Sequence, residues 1–140
     1  MVQYIVDSVE MPIIDKQKIN RWIKIIAADY QKNTGEICYI FCNDKKILEV
    51  NNQYLSHDYY TDIITFDYGK NDQISGDIFI SIDTVKANAE EFGVSFKDEL
   101  NRILIHGILH LCGQNDNTPE LRKAMTDKEN VALEKLRITT

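Results

Sequence analysis

The stretch from Phe96 to about Cys112 is apolar around most of its circumference, and it constrains the fold more than any other feature. Phe96, Leu100, Ile103, Leu104, Ile108 and Leu111 fall on one stripe at helical spacing, and Ile105, Leu109 and Cys112 fall on another. A surface that wide predicts a helix buried nearly all round. Such a helix needs cover on several sides, which a layered domain built around it provides. Ser95, with Asp98 three residues on, resembles a capping box at its start, and Gly113 suits its end.

The rest of the chain supplies that cover. VQYIVDS alternates as a first strand, and Asp15 can cap a helix through about Lys32 with Ile19, Trp22, Ile23, Ile26 and Tyr30 at helical spacing. Gly35 punctuates before a strand from Glu36 to Cys42 that is rich in β-formers. Asn43 can cap the next helix, whose apolar face is Ile47, Leu48, Val50, Tyr54 and Leu55. IITFDY reads as a strand, GKNDQIS as a loop and GDIFIS, Gly76 to Ser81, as another strand. Asp83 is the expected cap of a helix that Gly93 stops, and Thr118-Pro119-Glu120 opens the last helix. The predicted order is β-α-β-α-β-β-α-α-α. That is an α+β domain, α/β-like, in which about five helices cover a small mixed four-stranded sheet, over residues 1–140.

Two histidines lie between the apolar stripes of the buried helix. His106 and His110 are four residues apart, so they are separated by about 40° around the axis and roughly 6 Å along it. Both imidazoles leave one face and can meet one ion. Asp116 could not join them on a continued helix, where it would lie roughly 9 Å beyond His110 and about 240° around. Gly113 permits the chain to stop and fold back. His106, His110 and Asp116 thus read as two helical ligands and a third on the returning loop. Two imidazoles and one carboxylate favour zinc, although nickel, cobalt or iron bind the same set. Three protein ligands leave a position for water, which is the catalytic pattern. Zinc peptidases of the H-E-x-x-H type carry their general base directly after the first histidine, where this chain has Gly107. That glycine implies instead a close approach to the helix.

HGILHLCGQND resembles the H-G-x-L-H-L-x-G-x-D-H motif of the YbeY family of metal-dependent endoribonucleases, which act in ribosomal RNA maturation. YLSHDYYTDIITF is similar to the family's Y-R-x-x-D-x-P-T-D-V-L-S-F segment, and GDIFIS to its G-D-I-x-I-S strand. The likeness covers about residues 45 to 116. It implies a single-strand-specific zinc endoribonuclease acting on ribosomal RNA of the small subunit (the 16S 3′ end) and in ribosome quality control. It also implies that His106, His110 and Asp116 hold a catalytic water through the metal. The family's third histidine falls on Asp116, and its arginine after the tyrosine falls on Leu55. With that cation lost, His57 is the candidate to substitute for it at the substrate. Asp62 and Arg102 are the other candidate substrate contacts, Asp62 lining the cleft and Arg102 meeting a phosphate or pairing with Glu99.

Composition bounds the rivals. A formal charge of −6 excludes a broad basic surface for nucleic acid, though a metal and a few local cations suffice in a cleft. The three cysteines, Cys38, Cys42 and Cys112, are too few and scattered for a disulfide framework and read as core, which suits the cytoplasm. No signal peptide or membrane partner is expected. The enzyme rival is a metallopeptidase borrowing a base from Asp62 or Asp77. The non-enzyme rival is a ribosome-assembly factor whose metal only holds the loop after Gly113.

Overall fold

In a computed structural model, residues 1–55 and 61–139 are described. The elements are β1 (Val2–Val6), α1 (Lys16–Asp29), β2 (Asn33–Cys42), α2 (Asp44–Leu55), β3 (Ile63–Asp67), β4 (Gln73–Ser81), α3 (Ile82–Phe92), α4 (Phe96–Leu111) and α5 (Pro119–Ile138). Among the described residues, these four strands and five helices follow the predicted order. His57 lies outside the described residues.

The sheet runs β1-β2-β4-β3, with β1–β2 and β2–β4 parallel and β3–β4 antiparallel. Ile37, Tyr39 and Phe41 of β2 and Ile78 and Ile80 of β4 point to one face, the period-2 signature of a strand. There they pack against apolar residues of α1, α3, α4 and α5. The opposite face is covered by α2, through Ile47 and Val50 against Cys42, Ile64, Phe66 and Phe79.

Caps set most helix starts as expected. Asp15 accepts from Lys18 N, Asn43 from Lys46 N, Ser95 from Asp98 N and Thr118 from Leu121 N. At α3 the cap is Ser81, not Asp83: Ser81 Oγ accepts from Thr84 N at 3.3 Å. Asp83 instead accepts from the backbone N–H of Asp44 at 3.0 Å, tying the first turn of α3 to that of α2. β4 also begins earlier than the loop reading of GKNDQIS allowed. Gln73 and Ile74 pair with Asn33 and Thr34 of β2, and Ile74 is buried.

Two hydrogen bonds fix the buried helices. Tyr39 Oη, fully buried, donates to the Leu104 carbonyl at 2.9 Å and pins α4 to the sheet. Trp22 Nε1 donates to the Ala132 carbonyl at 2.7 Å and pins α5 to α1. Each satisfies a donor that would otherwise be stranded in the core.

Candidate metal centre

The last turn of α4 ends as its sequence requires. Gly113 takes φ +102°, its N–H donates to the His110 carbonyl, and the N–H of Gln114 donates to the Leu109 carbonyl. This pair of bonds is the Schellman closure, which consumes orphan carbonyls and reverses the chain. The reversal returns Asp116 to the histidines. Its Oδ2 stands 3.3 Å from His106 Nε2 and 3.3 Å from His110 Nε2, and the two Nε2 atoms are 3.0 Å apart.

These three atoms fit a metal ion. Ligands of a tetrahedral zinc, each about 2.0–2.1 Å from the ion, stand roughly 3.3 Å from one another. The observed edges need almost no adjustment. Among the described residues, His106, His110 and Asp116 form the one group of three or more such side chains close enough to share an ion. Their side chains are 19%, 26% and 35% exposed, so the site opens to solvent on one side.

His106 is held from behind: its Nδ1 lies 2.6 Å from Glu129 Oε2. A carboxylate oxygen only accepts, so in the neutral ring Nδ1 of His106 carries the hydrogen and Nε2 presents its lone pair. Burial works against the His106 proton, but the Glu129 hydrogen bond and charge, with Asp116 and Asp62, outweigh it and hold the imidazole above its ordinary range. At His110, burial and the nearby His106 charge win, and the pKa is lowered.

The other candidates separate. Asp62 leads into β3 on this side of the sheet, and its carboxyl feels the His106 charge. Burial raises its pKa, with Glu129 adding to the rise and His106 opposing it. Arg102 pairs with Glu129 at 2.8 Å rather than with Glu99, and its other nitrogen donates to Asn130 Oδ1 at 2.8 Å. Asp77 accepts from Tyr68 Oη at 3.2 Å on the other face of the sheet. Gly107 is approached closely, as expected, but by the sheet: a Cβ there would meet Ile78 at 3.0 Å and Ile63 at 3.2 Å. The residue the motif missed is Glu129. A signal existed, because it occupies the apolar register of α5 with Met125, Ala132 and Leu136.

The chain has known relatives in sequence and in fold. Residues 5–137 match the family described as endoribonuclease YbeY. A protein of that name from Bacteroides thetaiotaomicron is 60% identical over 132 residues, 94% of this chain and 96% of its own. Another from Porphyromonas gingivalis (strain W83) is 44% identical over 138 residues, 99% of this chain and 91% of its own. The solution structure of TM1509 from Thermotoga maritima has the same fold, with a TM-score of 0.63 at 23% identity over 98% of this chain and 92% of that one.

Proposed function

The chain belongs to the endoribonuclease YbeY family, and we propose that it is a zinc-dependent endoribonuclease cutting single-stranded RNA during ribosomal RNA maturation. The observation that carries the reading is the triangle of His106 Nε2, His110 Nε2 and Asp116 Oδ2, open to solvent on one side. A zinc ion held by these three residues supplies Lewis acidity to a phosphoryl oxygen and to a water. Glu129 keeps the His106 imidazole turned toward the ion's position. Asp62, half-buried and raised in pKa, is suited to take a proton at its carboxylate oxygen. The substrate is RNA of the small ribosomal subunit near the 16S 3′ end, in the cytoplasm. No helix among the described residues is long and apolar enough to cross a membrane.

The peptidase alternative finds no base at position 107 or at Asp77, which leaves it only Asp62. Position 107 faces Ile78 and Ile63, so a side chain there would enter the core rather than the site. Asp77 lies on the far face.

The test is cleavage of a single-stranded RNA by purified protein, with elemental analysis of the same sample. Cleavage should stop with a chelator, return with zinc, and be absent from Asp116→Ala. Chelator-resistant cleavage, or RNA left intact by zinc-loaded protein that hydrolyses casein, would overturn the reading.

A further inference from the structure

Behind the three candidate ligands sits a carboxylate with no counterpart in the histidine motif. Glu129 is 6% exposed on the face of α5 that also buries Met125, Ala132 and Leu136. Glutamate is almost never buried this deeply unless its oxygens are satisfied. Both are. Oε1 accepts from Arg102 Nη1 at 2.8 Å, and Oε2 faces His106 Nδ1 at 2.6 Å. Asn130, the next residue, takes the second guanidinium nitrogen.

The two oxygens have different work. Arg102 is always charged and only donates, so it holds the carboxylate in one rotamer with one oxygen left over. That oxygen is aimed at the His106 nitrogen away from the site. A neutral imidazole has one donor and one acceptor nitrogen, and only the acceptor can bind a metal. We propose that Glu129 is a positioning residue: it fixes His106 in the Nδ1–H tautomer, so that the Nε2 lone pair faces His110 and Asp116. Arg102 serves by orienting Glu129. The proposal rests on the metal-centre reading above, yet the tautomer can be measured without a metal.

A buried ion pair kept only for packing predicts a different outcome, so the variants separate the two roles. Arg102→Met/Glu129→Leu replaces the pair with apolar side chains of similar length, a change that proteins often tolerate without loss of stability. Arg102→Met/Glu129→Gln keeps one acceptor oxygen beside His106. The readouts are the imidazole 15N shifts of His106 in metal-free full-length protein, taken at a pH high enough for the ring to be neutral, and zinc affinity by competition with a chromophoric chelator. Wild type should show the Nδ1–H tautomer. The Leu double variant should lose it and bind zinc about 10–100-fold more weakly, the usual cost of removing such a partner. The Gln double variant should recover the tautomer and most of the affinity. An Nε2–H tautomer in wild type overturns the proposal, and so does a folded Leu double variant that keeps both the Nδ1–H tautomer and wild-type affinity. Wild type with the Nδ1–H tautomer and no zinc binding would instead overturn the metal-centre reading and leave the hold of Glu129 on His106 intact.

Discussion

Gly107 lies against Ile78: a Cβ built on the glycine would stand 3.0 Å from both Cγ2 and Cδ1 of that side chain. The contact sets how closely α4 approaches the sheet one residue after His106. Gly107→Ala sets a gain in helix propensity of about 1 kcal/mol against crowding of similar size, so stability should change by no more than about 1 kcal/mol. Gly107→Glu, which would create an H-E-x-x-H sequence, buries an unpaired carboxylate against Ile78 and Ile63 and should fail to fold. Denaturant unfolding of both variants checks this. A stable Gly107→Glu protein with peptidase activity would show that position 107 reaches the site.

Gly113 and Gly93 end their helices with the same pair of hydrogen bonds, but only one returns a candidate ligand. Neither has an atom within 4 Å of a hypothetical Cβ, so the cost of a side chain is backbone strain alone. At φ +102° and +66°, valine should cost roughly 1–3 kcal/mol at each site. Gly113→Val should also weaken zinc binding, because the strain is relieved by moving the loop that carries Asp116. Gly93→Val should leave zinc affinity unchanged. Equal zinc affinities in the two variants, measured beside their unfolding midpoints, would separate Asp116 from the turn.

If Asp116 is a ligand, removing it should cost more than removing a supporting residue. Asp116→Ala should weaken zinc by more than the roughly 10–100-fold typical of outer partners. Asp116→His restores an imidazole where the family motif has one and should keep zinc, with some loss because the longer ring must be accommodated by the loop. Competitive zinc titrations decide it, and full affinity in Asp116→Ala would remove Asp116 from the set.

Zinc affinity should fall with acid in two stages, because ligands must lose their protons to bind. His106 holds its proton above the ordinary histidine range, so competition begins there as pH falls and costs about tenfold per pH unit. His110, lowered by burial and by His106, joins only at more acidic pH, where the slope should steepen. The check is a series of zinc titrations between about pH 8 and 5. A flat profile across that range would mean that neither imidazole binds the metal.

The element order was legible because nearly every helix begins with a short polar cap and the strands keep their own period. Asp15, Asn43, Ser95 and Thr118 all accept from the N–H predicted for a cap. Asp83 was misleading for a local reason: β4 passes into α3 without a loop, so the last strand residue, Ser81, already occupies the cap position. Gln73 and Ile74 read as a loop because the turn residues around them hide a strand whose partners in β2, Asn33 and Thr34, lie about forty residues back. The His-x3-His-x2-Gly-x2-Asp geometry was legible since helix pitch and one glycine determine it. Glu129 stands out only as a charge in the apolar register of α5; its role was not legible, because its partners His106 and Arg102 lie 23 and 27 residues away on another helix.

Asp62 should leave its mark on the pH dependence of cleavage. A group that accepts a proton must be ionised, so activity rises as pH rises through its pKa. Burial raises the Asp62 pKa above the ordinary aspartate value of about 3.9, which places that rise higher than a free carboxyl would. Bound zinc, like the charge of His106, pulls it part of the way back. Asp62→Asn is nearly isosteric and cannot take the proton. It should lower kcat by about 10²–10⁴-fold and abolish the rise, while zinc affinity stays within a few-fold. Loss of zinc in acid would produce a similar limb, so each rate is measured at saturating zinc with the bound metal counted. Under those conditions, an Asp62→Asn protein whose kcat and acidic limb both match wild type would exclude Asp62 from proton transfer.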